Sequence, residues 1–217
     1  MTELQLIIVF VLTLISLSSL IVLLQPAIKV WFYQRQHMEI YHKTILRIAE
    51  DQDFQLINPV ILKLDDSTFL KIDHLLFGDK YIYVIKDEYY NGSMLGKHKD
   101  QNWLFHHFDK KKGVYVKNPF IVNARRIEKL SLLTQLNESL FVSIIVVNDE
   151  AMMDRVNRGD AVSYITSIKK LPRVIMAFED RKVMKLNAEK VQLAVNSIHR
   201  LSEENKKLYK SYRKMNS

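Results

Sequence analysis

The chain has 217 residues, with 32 Lys and Arg against 24 Asp and Glu, a formal net charge of +8, and no Cys. The missing Cys excludes a disulfide-stapled scaffold, a Cys nucleophile and Cys-ligated zinc, and it agrees with a reducing compartment. The charge is uneven: residues 181–217 hold ten Lys or Arg against three acids, whereas 25–180 hold 22 against 20.

Residues 4–24, LQLIIVFVLTLISLSSLIVLL, contain no charge, Gly or Pro, which matches the ~20 residues a helix needs to cross a bilayer. A cleaved signal peptide would start basic and end at a small-residue site. Here Glu3 precedes the run and no such site appears before Pro26. The expectation is an uncleaved single-pass anchor over 1–25 in the cell membrane. No basic residue lies before it, whereas Lys29, Arg35 and Lys43 follow, which places the soluble domain in the cytoplasm. Trp31, Phe32 and Tyr33, in a juxtamembrane segment 26–37, suit the interfacial belt.

The remaining length suits one domain with its own core, without repeats or long linkers. Residues 36–51 read as a helix with Ile40, Ile45, Ile48 and Ala49 on one stripe. A strand at 57–64 ends in the turn Asp65, Asp66, Ser67. Two strand-length runs, 69–77 and 80–88, form a hairpin about Gly78 and Asp79. A polar turn at 91–96 leads to strands at 102–105 and 114–116 around the basic loop 110–113, read as a peripheral flap. Asn118 and Pro119 break the chain before a helix at 120–136, whose Ile121, Ala124, Ile127, Leu130, Leu133 and Leu136 recur at helical spacing. The apolar run 141–147 predicts a strand buried on both faces. A short helix at 162–170, a strand at 174–178 and a helix over 188–212 complete a mixed α/β arrangement around one sheet.

Asp73 stands inside an apolar strand, and Lys86 and Glu88, two apart, share a face within reach of it across the hairpin. Two carboxylates to hold Mg²⁺ or Mn²⁺ and an amine to stabilise charge suit phosphodiester hydrolysis. On charge spacing alone, the same residues describe a half-exposed strand end whose Lys and Glu form a cross-strand ion pair worth less than about 1 kcal/mol. His74 is expected on the opposite strand face as a buried, hydrogen-bonded residue. His98, His106 and His107 do not make a zinc set, since adjacent strand residues face opposite ways. GSMLGK at 92–97 lacks phosphate-loop spacing and reads as a turn. In the last helix Val191, Val195, Ile198 and Leu201 face inward. Arg200, Lys206, Lys207, Lys210, Arg213 and Lys214 face outward, as a solvated end or a contact for nucleic-acid phosphates or an anionic leaflet.

Glu39, Ile72-Asp73-His74, Tyr83-Val84-Ile85 leading to Tyr90-Asn91-Gly92, then Gly96, Trp103, Asn118-Pro119 and Asn123 together resemble the NERD (nuclease-related) domain, a branch of the PD-(D/E)XK restriction-endonuclease-like superfamily, over roughly 38–178. The resemblance implies a restriction-endonuclease-like mixed sheet flanked by helices over 38–180, followed by a basic helix and tail at 181–217. The family pattern closing the second hairpin strand is acid, any residue, lysine; here it is Lys86, Asp87, Glu88. Glu39 and Asp73 keep their carboxylates while the metal-ligand position carries Lys86 and the lysine position Glu88.

Three outcomes remain open. Lys86 repels Mg²⁺, at about 4 kcal/mol per pair of unit charges 4 Å apart in an effective dielectric near 20, doubled for a divalent ion. Alternatively Asp73 and Glu88 hold the metal, Glu39 supports them, and Lys86, Lys97 or Lys99 supplies the cation. In the third, Lys86 and Glu88 close ion pairs with Asp73 and Glu39 or Lys71. The functional expectation is a membrane-anchored protein that binds or processes DNA or RNA with a degenerate nuclease site, using Lys97, Lys99, Lys110, Lys111 and Lys112 as nucleic-acid contacts. The alternatives are an active Mg²⁺-dependent nuclease and a membrane-tethered scaffold for a protein partner.

Overall fold

The computed structural model describes residues 3–64, 68–108, 110–156 and 162–215; the turn expected at 65–67 lies outside them. The chain forms two compact units, Met1–Ile40 and Tyr41–Ser217. Helix α1, Glu3–Gln52, begins in the first and ends in the second, so the expected anchor and the expected helix at 36–51 are one continuous element. In the first unit Phe10, Leu12, Ile15, Leu17, Ile21 and Val22 are all exposed. Among the described residues, however, no helix is long and apolar enough to cross a membrane.

In the second unit, Tyr41, Ile45, Ile48 and Ala49 form the buried stripe of α1. The expected strand 57–64 is two strands, β1 Gln55–Ile57 and β2 Val60–Lys63, parted at Pro59, which has no N–H to give a ladder. The first arm of the expected hairpin also divides, into β3 Phe69–Ile72 and β4 His74–Phe77, and β5 Ile82–Asp87 follows. β3 pairs with β2 in a two-stranded sheet, whereas β4 lies between β1 and β5 in another. Asp73 occupies the corner where the chain changes sheets.

The expected turn at 91–96 is a strand, β6 Gly92–Gly96. Its glycines serve close approach instead: a Cβ on Gly92 would stand 2.0 Å from the His106 carbonyl oxygen, and one on Gly96 would stand 2.1 Å from the Trp103 ring. β7 Asn102–His107 and β8 Val114–Lys117 continue from it, with β10 Met152–Val156 on the other edge, in the order β10-β6-β7-β8. The expected flap is therefore a four-stranded sheet, whose Met94, Trp103 and Phe105 share one core cluster with Tyr90, Phe120, Ile145, Val147 and Ile165.

Helix α2, Pro119–Thr134, starts as its sequence dictates: the Asn118 side chain accepts from the Phe120 amide at 2.9 Å, and Pro119 occupies the first turn. β9 Phe141–Val147 is buried throughout. It lies parallel to β5 on one side and to β11 Ser163–Ser167 on the other, completing a five-stranded sheet β1-β4-β5-β9-β11. Residues 162–170 are thus a strand and a short 3-10 turn, Ile168–Lys170, where a helix was expected, and 174–178 lie in helix α3, Leu171–Glu179, where a strand was expected. Leu171, Ile175 and Phe178, four and three apart, are the buried face of α3.

Helix α4, Ala188–Met215, returns across β2, where Ser202 accepts from the Ile61 amide at 3.0 Å. Ala194 and Ile198 of α4 join Leu130 of α2 and Leu75, Ile82, Val84 and Phe141 of the large sheet in one core cluster. The basic C-terminal segment is therefore part of the core as far as Ser202.

Candidate functional site

In the β4–β5 register His74 stands opposite Ile85 and Leu75 opposite Val84. Continuing it places Asp73 opposite Lys86, and alternation puts Val84, Lys86 and Glu88 on the face covered by α2. On α2, Asn123 donates to the Val84 carbonyl at 2.7 Å and to the Ser143 hydroxyl at 3.0 Å. One turn further along, Arg126 donates to the Asn123 side-chain oxygen at 3.2 Å. A buried guanidinium is thereby aimed at the end of β5.

The Asp73 carboxylate meets two cations, Lys71 at 3.6 Å on Oδ1 and Arg126 at 3.8 Å on Oδ2. Lys86 closes an ion pair with Glu88, one residue beyond the end of its strand. The Tyr90 hydroxyl also bonds Glu88; burial first, then the Glu88 charge and this bond, push that hydroxyl's pKa well up. Burial pulls the Arg126 pKa down, opposed by the charges of Asp73, Glu88 and Asp87; a guanidinium stays protonated regardless. Asp73, Lys86 and Glu88 lie at one strand end, where sequence reasoning had allowed a Lys–Glu ion pair but not these partners for Asp73. Lys86 takes Glu88, and Asp73 takes Lys71 together with Arg126, which sequence reasoning had not singled out.

Asp87, the middle residue of the reversed triplet, turns to the opposite face. Its Oδ2 lies 2.7 Å from His74 Nε2, and both side chains are almost fully buried. The His42 ring lies parallel to that of His74, centroids 6.1 Å apart. His74 Nδ1 and Asp87 Oδ1 have no hydrogen-bond partner among the described residues. Strand alternation was the available signal, since Asp87 and His74 both fall on the face opposite Lys86 and Asp73.

Both carboxylates of the expected donor set lie against cations in this structure. Mg²⁺ is held by carboxylate oxygens, and to serve it Asp73 and Glu88 would share theirs with Lys71, Arg126 and Lys86. Among the described residues no group of three His, Asp or Glu is placed to hold a metal ion, His98, His106 and His107 included. Glu39 is exposed on α1.

Lys97, Lys99, Lys110, Lys111 and Lys112 are exposed on the connections flanking β7. The first connection is ordered by Asn118, whose amide donates to the carbonyls of His98 at 2.8 Å and Asp100 at 2.7 Å. Trp103 Nε1 donates to the Lys97 carbonyl at 2.9 Å. Exposed Phe108 and Tyr115 flank the lysine loop.

The fold and the charged strand end define a mixed α/β domain of nuclease-like architecture. A family model described as the nuclease-related domain, NERD, matches residues 37–148, just over half of the chain. The chain belongs to the NERD family. No curated protein matches it. A crystal structure of a protein of unknown function, AF1548, is similar at 14% identity and a TM-score of 0.27, covering 62% of this chain. The chain spans about half of that protein, 53% of its length, and likeness at that score carries no argument.

Proposed function

We propose that this NERD protein is held at the cell membrane by residues 4–24, presents its restriction-endonuclease-like domain to the cytoplasm, and binds DNA or RNA without hydrolysing it. The observation that carries the non-catalytic reading is the engagement of Asp73 by Lys71 and Arg126 while Lys86 pairs with Glu88. A divalent ion entering there would displace cations already seated on its ligands. Nucleic-acid binding is supported by Lys97, Lys99 and Lys110–Lys112 with the exposed rings of Phe108 and Tyr115 beside them. Cations track the phosphates and aromatic faces stack bases. Membrane attachment is supported by the uncharged stretch 4–24 and by the exposed apolar side chains of α1 between Phe10 and Leu24.

The test is incubation of the detergent-solubilised full chain with single- and double-stranded DNA and RNA, with and without Mg²⁺ or Mn²⁺. Binding that weakens steeply with salt, and no cleavage, is expected. Metal-dependent cleavage abolished by Asp73→Ala overturns the non-catalytic reading. Absence of salt-sensitive binding overturns the nucleic-acid reading. Release of the wild-type chain from membranes by alkaline carbonate overturns the anchor.

A further inference from the structure

A cavity of about 770 Å³ opens at the carboxyl ends of the parallel strands β9 and β11, where α3 begins. Small-molecule sites occupy roughly 300–1,000 Å³. Apart from Val147, the residues lining it lie beyond the family-matched segment 37–148, so it is distinct from the Asp73 cluster.

Its lining is divided by chemistry. Val147, Met153 and Ile165 give an apolar floor, while Lys169, Lys170, Arg173 and Arg181 stand against the single acid Asp149. Asp149 is occupied: its carboxylate lies 3.5 Å from Lys169 Nζ and accepts from the Lys169 amide at 3.3 Å. Among the described residues Lys170 and Arg173 form no ion pair, and both are exposed. The Arg181 guanidinium lies 4.1 Å from the centre of the buried Phe178 ring and 6.0 Å from that of Tyr81, and a guanidinium held on a ring is a group on which nucleobases stack. A ligand complementary to this cavity has a planar apolar body and an anionic end.

We propose that this cavity binds a mononucleotide, its phosphate at Lys170 and Arg173 and its base against the Arg181 guanidinium that rests on Phe178. A free nucleotide and the 5′-phosphorylated end of a strand carry the same chemistry. The proposal is independent of the nucleic-acid reading above.

Titration calorimetry of the detergent-solubilised full chain with AMP and ATP, and with adenosine and inorganic phosphate as half-ligands, tests it. Saturable AMP binding, tighter than either half-ligand, is expected. Lys170→Glu with Arg173→Glu weakens it by about tenfold or more, as for the loss of two charge-assisted bonds. Ala177→Trp, which fills the cavity from α3 without changing charge, does the same with an unchanged circular dichroism spectrum. Competition by a 5′-phosphorylated dinucleotide, but not its 5′-hydroxyl form, assigns the strand end as the source; competition by neither assigns the free nucleotide. Absence of saturable binding, equal affinity for AMP and inorganic phosphate, or AMP binding undiminished in both variants overturns the proposal.

Discussion

At the end of β5, Lys71, Lys86 and Arg126 lie against Asp73 and Glu88, whereas at the end of β11 Lys170 and Arg173 border an apolar cavity with no ion pair among the described residues. The same residue types are thus used in two ways on one sheet. The difference follows from exposure. Where α2 closes over the strand end, an unpaired charge would lose its water and gain nothing, so each is matched. At the mouth of the cavity, solvent keeps the cations charged at little cost, and they stay available to an incoming anion.

This contrast can be broken from either side. Arg126→Leu removes the buried cation that faces Asp73, and we expect a loss of about 3 kcal/mol in urea denaturation; adding Asp73→Asn should recover part of it. A loss indistinguishable from that of an exposed Arg would mean that the cluster is no tighter than surface pairs. His74→Ala leaves Asp87 buried without its partner and should cost about 2 kcal/mol by the same measurement. Lys170→Glu with Arg173→Glu should change stability by no more than about 0.5 kcal/mol, because these charges hold nothing in the fold. A large loss there would place them among the structural charges and erase the contrast.

The smallest effect concerns Glu179, on the helix that walls the cavity. Burial holds its carboxyl above the usual carboxylate range, although bonds from the Tyr83 hydroxyl at 2.6 Å and the Lys80 amide at 3.0 Å oppose the shift. The folded chain therefore binds this proton more tightly than the unfolded chain. Its contribution is complete below the ordinary value of 4.5 and is lost as pH rises through the raised folded value. Urea midpoints measured between about pH 4 and pH 7 should fall for the wild type relative to Glu179→Gln as pH rises. A constant difference would contradict the shift.

The sequence carried much of the fold where pattern and capping agreed. Asn118-Pro119 announced α2, and the apolar run 141–147 coincided with β9. It misled where one residue type serves two purposes. Gly92 and Gly96 signal a turn locally, but here they admit a carbonyl and an indole ring into close contact. Residues 171–178 look like a strand from Val174 onward, while their burial at Leu171, Ile175 and Phe178 follows a helix. At the site, Asp73, Lys86 and Glu88 were legible as a shared face. Their partners were not, because Arg126 comes from a helix some forty residues later in the chain, and its approach depends on Asn123 docking on the Val84 carbonyl.

The bond between the Ile61 amide and Ser202 spans 141 positions. Ala194 and Ile198 sit in the same core cluster as Leu75 and Val84. The segment that defines the family therefore leaves the ribosome with its sheet covered by α2 but with the part of that core where α4 seats still open. Ends so far apart in sequence are slow to meet, and exposed apolar sheet surface invites association meanwhile. A chain stopped near residue 148 would be left in that condition, with the apolar surface that Ala194 and Ile198 cover exposed to solvent.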